Sequence, residues 1–310
     1  MAIGFMERLR NTDDILVIFF AMQTLLVEKY GKPMETHLSE WILAHPEEFQ
    51  DSLRQIYATG NDIVHIGTQA SSPFRAKSYG IDDRIYELNY KSAKMAKEIT
   101  PEGRYVAGLI SSSNPDWLEP VGNMTYDEVY KGYLEQIKGL LKGGVDLIIA
   151  TGNHIDETVI AVKAIKDHSD IPVMAGTVFY AGKKGFRTMT GLAPKVAIAK
   201  LQETGAEVLG FQCGLMTKSS NTSEWYPGAT ALLKEVKQET DKYLFIAPDA
   251  GLPQLINDKT VWPASPEDMA KEVLNWVASG VRIVGGCCGT SLEHNRKTSI
   301  VLRERRTKGT

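Results

Sequence analysis

The chain has three cysteines, and two of them are neighbours: Cys213, Cys287 and Cys288. Thiols in such an arrangement can exchange redox equivalents or bind a metal. Adjacent cysteines close a disulfide only through a strained ring, so Cys287–Cys288 is a poor structural bridge. Three thiolates and one open position form a catalytic zinc arrangement, in contrast to the closed four-ligand structural type. Glycines flank all three, with Gly214 on one side and Gly285, Gly286 and Gly289 on the other. Glycine lets a backbone turn tightly enough for distant sulfurs to converge. The competing reading is three unrelated buried thiols, because a free cysteine often serves as a small core hydrophobe.

The sulfurs can meet only if the segments carrying them end at one place. Eight short runs read as strands: Ile15–Phe20, Ile63–Gly67, Tyr105–Ile110, Asp146–Ala150, Pro172–Gly176, Glu207–Phe211, Tyr243–Ala247 and Arg282–Val284. Most are nearly continuous in Val, Ile and Leu, as suits parallel strands buried on both faces. Between them, Tyr126–Leu141, Glu157–Lys166, Ala193–Thr204, Ala229–Glu239, Pro266–Ser279 and Leu292–Arg303 carry apolar residues at helical spacing. Thr125 reads as an N-cap, Gly143–Gly144 as a helix stop, and Ser265–Pro266 as a cap with proline at the first helical position. Eight strand–helix alternations without a long linker predict an α/β fold, a single-domain (β/α)8 TIM barrel over residues 1–310. A doubly wound open sheet is the alternative, but no G-x-G-x-x-G follows the first strand and no P-loop is present. In a (β/α)8 barrel the carboxyl ends of all strands open onto one face, where active sites are built. Cys213 follows the sixth run, and Cys287 and Cys288 follow the eighth.

Composition sets the remaining bounds. The 310 residues are 43% hydrophobic and 24% charged, with a formal net charge of −3. A core of that size folds without disulfides or metal, so a metal here is expected to be functional. No basic block offers to neutralise phosphates, which argues against nucleic acid as a partner. The apolar run Ile15–Met22 is too short to span a bilayer. Asn11, Thr12, Asp13 and Asp14 before it do not form the basic flank of an export signal. The expected setting is the cytoplasm, where thiols stay reduced. The charged end Arg303–Glu304–Arg305–Arg306 reads as a solvated terminus.

At Gly285–Gly286–Cys287–Cys288–Gly289–Thr290, with His294 shortly after, the sequence resembles the homocysteine S-methyltransferase family. That family includes the betaine–homocysteine enzymes and the homocysteine half of cobalamin-dependent methionine synthase. The likeness runs through nearly the whole chain. Gly210–Phe211–Gln212–Cys213 is similar to the family's G-x-N-C element, Pro248–Asp249–Ala250–Gly251 to its P-N-A-G element, and Gly143–Ile149 to its G-G-V-D-L-L stretch. The resemblance implies a (β/α)8 barrel with Cys213, Cys287 and Cys288 as zinc ligands. It also exposes departures. The family's D-G-A-M-G-T reads here Phe19–Phe20–Ala21–Met22–Gln23–Thr24, and its strand-four Glu-Thr reads Ala150–Thr151. In the family those two acids hold the amino group of homocysteine. Losing both should weaken amino-acid binding by several kcal/mol, at about 1.5–3 kcal/mol for each charged hydrogen bond. Asp156 or Glu157 could substitute for them. Phe19, Phe20, Met22, Gln23, Ala150 and Thr151 are therefore the candidate substrate contacts, and the two phenylalanines make an apolar pocket that suits a methoxy or methylthio compound.

A zinc ion in this setting either presents a thiol substrate as thiolate or withdraws electrons from the heteroatom of a methylated one. The second course needs an external nucleophile such as cob(I)alamin. The chain lacks the D-x-H-x-x-G signature of cobalamin modules, and it is too short to hold one beside a barrel. The leading expectation is a zinc-dependent methyltransferase that moves a methyl group to or from a small thiol, thioether or methoxy substrate. It would work as the methyltransferase component of a corrinoid system, with methylcobalamin carried on a partner protein. The alternatives are a true homocysteine S-methyltransferase making methionine, and a zinc or thiol-redox sensor on an inherited barrel. His154, past strand four, is the candidate polar contact or general acid. His65, Gln69, Tyr180 and Arg187 are weaker candidates. His294 is expected to fix the cysteine loop, and Asp249 to do likewise or to support the metal. Nothing is assigned to His37, His45 or His168, and homo-oligomerisation stays open.

Overall fold

Strands rich in β-branched residues can be buried on both faces when helices cover the outside and side chains fill the inside. The computed structural model, which describes residues 3–112, 118–120, 122–219, 221–257 and 259–307, has this arrangement. Its strands are β1 Leu16–Phe19, β2 Ile63–His65, β3 Tyr105–Ser112, β4 Leu147–Gly152, β5 Val173–Thr177, β6 Val208–Gln212, β7 Tyr243–Ala247 and β8 Ile283–Gly286. All pair in parallel, each with its neighbours in sequence, and β1 closes the barrel against β8 with Leu16 opposite Ile283 and Phe19 opposite Gly286.

The side-chain period of two sorts the strand residues into two cores. Leu16, Ile18 and Phe20, then Leu109, Leu147, Ile149, Met174, Val208, Phe245 and Cys287, fill the interior. Val17, Phe19, Ile148, Ala150, Leu209 and Phe211 face the surrounding helices. Helix Phe5–Asn11 covers the end opposite the cysteines. It lays Phe5 edge-on to Tyr105 at 5.5 Å and sets Arg8 between Asp14 and Asp62 at 3.0 Å from each.

Helices Tyr126–Gly143, Ile155–His168, Pro194–Glu203, Trp225–Lys237, Pro266–Ala278 and Leu292–Thr307 occupy the regions read from the sequence. Thr125 caps the first in a reciprocal box with Glu128, and Gly144 ends it at φ 85°. Ser265 accepts from the Asp268 amide at 3.2 Å, with Pro266 in the first turn. The structure adds Met22–Tyr30, Leu38–Ala44 and Pro46–Ala58 between β1 and β2, Ile85–Ile99 before β3, and antiparallel pairs of Tyr180–Gly182 with Gly185–Arg187 and of Gln254–Ile256 with Lys259–Val261. Among the described residues no helix is long and apolar enough to cross a membrane.

Candidate metal centre

The carboxyl ends of β6, β7 and β8 are tied together by backbone bonds that fix where each sulfur lies. The Cys213 amide donates to Ala247 O at 2.9 Å and the Cys287 amide to Pro248 O at 2.9 Å. The Cys288 amide donates to Asp249 Oδ1 at 2.9 Å, and the Ala250 amide returns to Cys288 O at 2.9 Å. Cys213 itself has φ 51°, in the left-handed region that favours glycine, and Gly214 follows at φ 91°. A side chain held there by its surroundings is a common feature of binding sites. The outcome is one cluster. Cys213 Sγ lies 2.7 Å from Cys287 Sγ, and Cys287 Sγ lies 4.0 Å from Cys288 Sγ. With one Asp249 carboxylate oxygen, the donor atoms all lie within 4.8 Å of one another.

Two elements outside the strands brace the cluster. The His294 ring spans the turn, with Nδ1 accepting from the Ser291 amide at 3.0 Å and Nε2 donating to Ala264 O at 3.1 Å. Gly289 stands at φ 74° under the indole of Trp262, where a Cβ would overlap the ring. Gly289→Ala therefore combines left-handed strain with a clash. It should cost roughly 2–5 kcal/mol, and it should loosen metal retention because Cys288 is the adjacent residue. Urea unfolding and metal content measure both, and a variant with the parental midpoint would contradict the packing.

Charge in the cluster is shared. The thiols of Cys213 and Cys287 donate to Cys288 and hold its sulfur as the thiolate, at about 3. Sharing its one proton with Cys287 first and then with Cys288 pushes the Cys213 thiol up. Burial, and then the Cys288 thiolate, pushes the Asp249 carboxyl well above its ordinary range.

The comparisons with known proteins bear on this arrangement. The family described as homocysteine S-methyltransferase matches residues 17–300. This chain belongs to the homocysteine S-methyltransferase family. The metallated form of the homocysteine methyltransferase MmuM from Escherichia coli superposes with a TM-score of 0.75 at 19% identity, covering 94% of this chain and 98% of that one. Its apo form gives 0.67 at 17% identity over the same shares. The carboxyl transferase domain of Rhizobium etli pyruvate carboxylase gives 0.52 at 14% identity over 96% of this chain and 48% of that one. At such identities these structures attest the barrel alone.

Within this homocysteine S-methyltransferase relative, the strand alternation decides which candidate contacts reach the interior. Phe20 does. Its ring stacks on Phe245 at 6.2 Å and lies 5.6 Å from the His65 ring. Thr151 does too, two residues beyond Ile149 and paired with Ser111. Phe19, Met22 and Ala150 are fully buried in the core between barrel and helices. Gln23 turns its amide to Met34 Sδ at 3.9 Å. His154 precedes helix Ile155–His168 at the mouth, with Nδ1 3.9 Å from Glu157 and its pKa lowered by burial. Neither nearby acid replaces the missing pair. Asp156 is bound by Lys200 on the outside, and Glu157 accepts from the hydroxyl of Tyr133 on helix Tyr126–Gly143. Tyr180 donates its hydroxyl to Asn153 Oδ1 at 2.9 Å, and burial first, with the nearness of Cys213 and Asp249 after it, raises its pKa. Arg187 folds onto its own loop at Phe186 O, 2.6 Å away. Sequence reading passed over Gln212 and Asn153 as contacts. Counting in twos from Val208 would have turned Gln212 inward.

His65 is part of the interior floor. Its Nε2 donates to Phe20 O at 3.0 Å, and its Nδ1 accepts from the Gly67 amide at 3.1 Å. Burial lowers its pKa to about 4. An unfolded chain protonates the same ring near ~6.5. Stability from this group is thus complete above ~6.5, and it declines by about 3 kcal/mol in total as pH falls from ~6.5 to about 4. His65→Gln should flatten that stretch of a plot of urea midpoint against pH. An unchanged slope would contradict the assignment.

Proposed function

We propose that this chain is a zinc-dependent methyltransferase acting on a small thiol, thioether or methoxy compound whose far end is not an amino acid. A corrinoid protein would serve as its methyl-exchange partner. One observation carries the reading. The three sulfurs converge at the mouth, while the inward positions at the ends of β1 and β4 are Phe20 and Thr151, where an ammonium would need carboxylates to leave water.

The cluster fits the ion. Three sulfurs on one zinc stand about 3.8 Å apart, from Zn–S bonds of ~2.3 Å, and the pairs here lie at 2.7 and 4.0 Å, on either side of that spacing. A soft, sulfur-rich donor set also suits zinc over magnesium or calcium. Cys213, Cys287 and Cys288 would hold the ion, which when bound supplies the Lewis acidity that keeps a substrate sulfur anionic or activates a methylated heteroatom. Asp249 holds the Cys288 amide and so aims that sulfur. Phe20, Phe245 and the neutral His65 form a dry floor beneath the reacting atoms. His154, kept neutral by burial, would take the proton of an incoming thiol or return one to a departing heteroatom.

The second reading, methionine synthesis from homocysteine, is favoured by family membership. Adding homocysteine to zinc-loaded protein and following sulfur ligation by X-ray absorption separates the two. No new Zn–S bond is expected, and its appearance at ordinary homocysteine concentrations would replace the proposal with the second reading.

A further inference from the structure

Among the described residues, two polar atoms on the inner face of the barrel strands have nothing to bond to. Thr151 is 1% exposed and Gln212 9% exposed, and neither Thr151 Oγ1 nor Gln212 Oε1 has a hydrogen-bond partner among the described residues. Both side chains face inward. Thr151 continues the interior series Leu147 and Ile149 along β4. Gln212 stands two residues beyond Gly210 and four beyond Val208 on β6, in register with the interior residue Ala247. Buried acceptors are seldom left unpaired, because each forfeits the hydrogen bonds it had in water. Two such atoms at the level of the reactive sulfurs mark where a bound molecule would complete them.

The barrel wall between them carries little side-chain bulk of its own. Only β5 separates the two strands, so their backbones run about 10 Å apart, two strand spacings of ~4.8 Å. Level with Thr151, the inward residue of β5 is Gly176, paired with Gly210 of β6. Neither contributes a side chain, and a Cβ on either would overlap Phe245. The Phe245 ring, stacked under Phe20, therefore forms an apolar bed with one acceptor on each side of it. Neither group carries charge; the Gln212 oxygen only accepts, and the Thr151 hydroxyl can accept or donate. An oxygen of this kind pairs well with a neutral hydroxyl or carboxamide donor, and it offers an ammonium no counter-charge.

We infer that Thr151 and Gln212 read the far end of the substrate, and that this end is a neutral hydrogen-bond donor such as an alcohol or carboxamide, reached across an apolar spacer lying on Phe20 and Phe245. The inference rests on the methyl-transfer reading above, because it assumes that the substrate's sulfur or oxygen is held at the cysteine cluster.

The test compares two thiols of equal length, 3-mercaptopropan-1-ol and butane-1-thiol, with the protein loaded with cobalt(II) as an optical reporter. Sulfur ligation adds a charge-transfer band, which titrates each thiol without any turnover. The parent should bind the alcohol at least about 10-fold more tightly than the alkane thiol. Thr151→Val, which keeps the shape and removes the hydroxyl, should shrink that ratio. Adding Gln212→Leu should abolish or invert it while the alkane thiol still binds. Should the double variant fold poorly, the single Thr151→Val ratio remains decisive. A parental ratio near one, or a ratio unmoved by Thr151→Val, overturns the inference and leaves the methyl-transfer reading standing. No new band with any thiol overturns the inference together with the thiol form of the methyl-transfer reading.

Discussion

Cys288→Ser should empty the metal centre and leave the barrel standing. Zinc content is expected to fall from about one per chain to below roughly a tenth, and methyl transfer to fall by at least ~1,000-fold, well beyond the 10–100-fold lost when only a supporting partner of a ligand is removed. Serine matches the size of cysteine but offers a neutral hydroxyl in place of an anionic sulfur, so one of three charges facing the ion disappears. The residue is exposed, and its amide bond to Asp249 does not depend on the side chain. The serine oxygen can still accept from the neighbouring thiols that now bond the Cys288 sulfur, so metal-free stability should fall by no more than about 1–2 kcal/mol. Cys287→Ser should abolish binding equally, but it puts a hydroxyl into a 6%-exposed interior position and should cost about 1–3 kcal/mol besides. Metal analysis, urea unfolding and a methyl-transfer assay on the same preparations test all of this. Full turnover by a metal-free Cys288→Ser protein would end the metalloenzyme reading.

The barrel was legible because its strands announce themselves by composition. Runs such as Leu147–Ile149 and Val208–Phe211 are too apolar for a half-exposed sheet, and their even spacing leaves room for one covering helix each. The sulfur cluster was legible for a related reason, since any residue just past a barrel strand opens onto the same rim. What composition cannot carry is the facing of a given residue. Phe19 and Phe20 are equally apolar, Ile149 and Ala150 are both apolar, and only the register of closure decides that Phe20 and Thr151 turn inward while Phe19 and Ala150 meet the helices. The short antiparallel pairs that begin at Tyr180 and Gln254 were missed for a different reason. They are short and lie inside loops, where no sustained period exists to detect. Lys259, Thr260 and Val261 are exposed, so even their alternation carries no burial signal. Trp262, which packs on the cysteine loop from the end of that strand pair, was hidden for the same reason.

Thr151→Glu should open the site to homocysteine. The position faces the interior at 1% exposure, so burial should hold a carboxyl there protonated when no ligand is bound. An arriving ammonium reverses that balance. The pair forms with charge-assisted hydrogen bonds of about 1.5–3 kcal/mol each, which corresponds to roughly 10- to 100-fold tighter binding. Calorimetric titration of zinc-loaded protein should show this gain with homocysteine, and X-ray absorption should show the Zn–S bond that the parent lacks. Thr151→Gln fills the same space without charge and should gain nothing, which separates electrostatics from shape. Phe20→Asp would add a second acid, but it breaks the stack on Phe245, so its gain should come with a lower unfolding midpoint. Binding by the Glu variant should strengthen as pH rises through the carboxyl's raised pKa, because only the ionised form pairs with the ammonium. A folded, zinc-replete Thr151→Glu protein that still ignores homocysteine would mean that something other than the missing acid at β4 keeps the amino acid out.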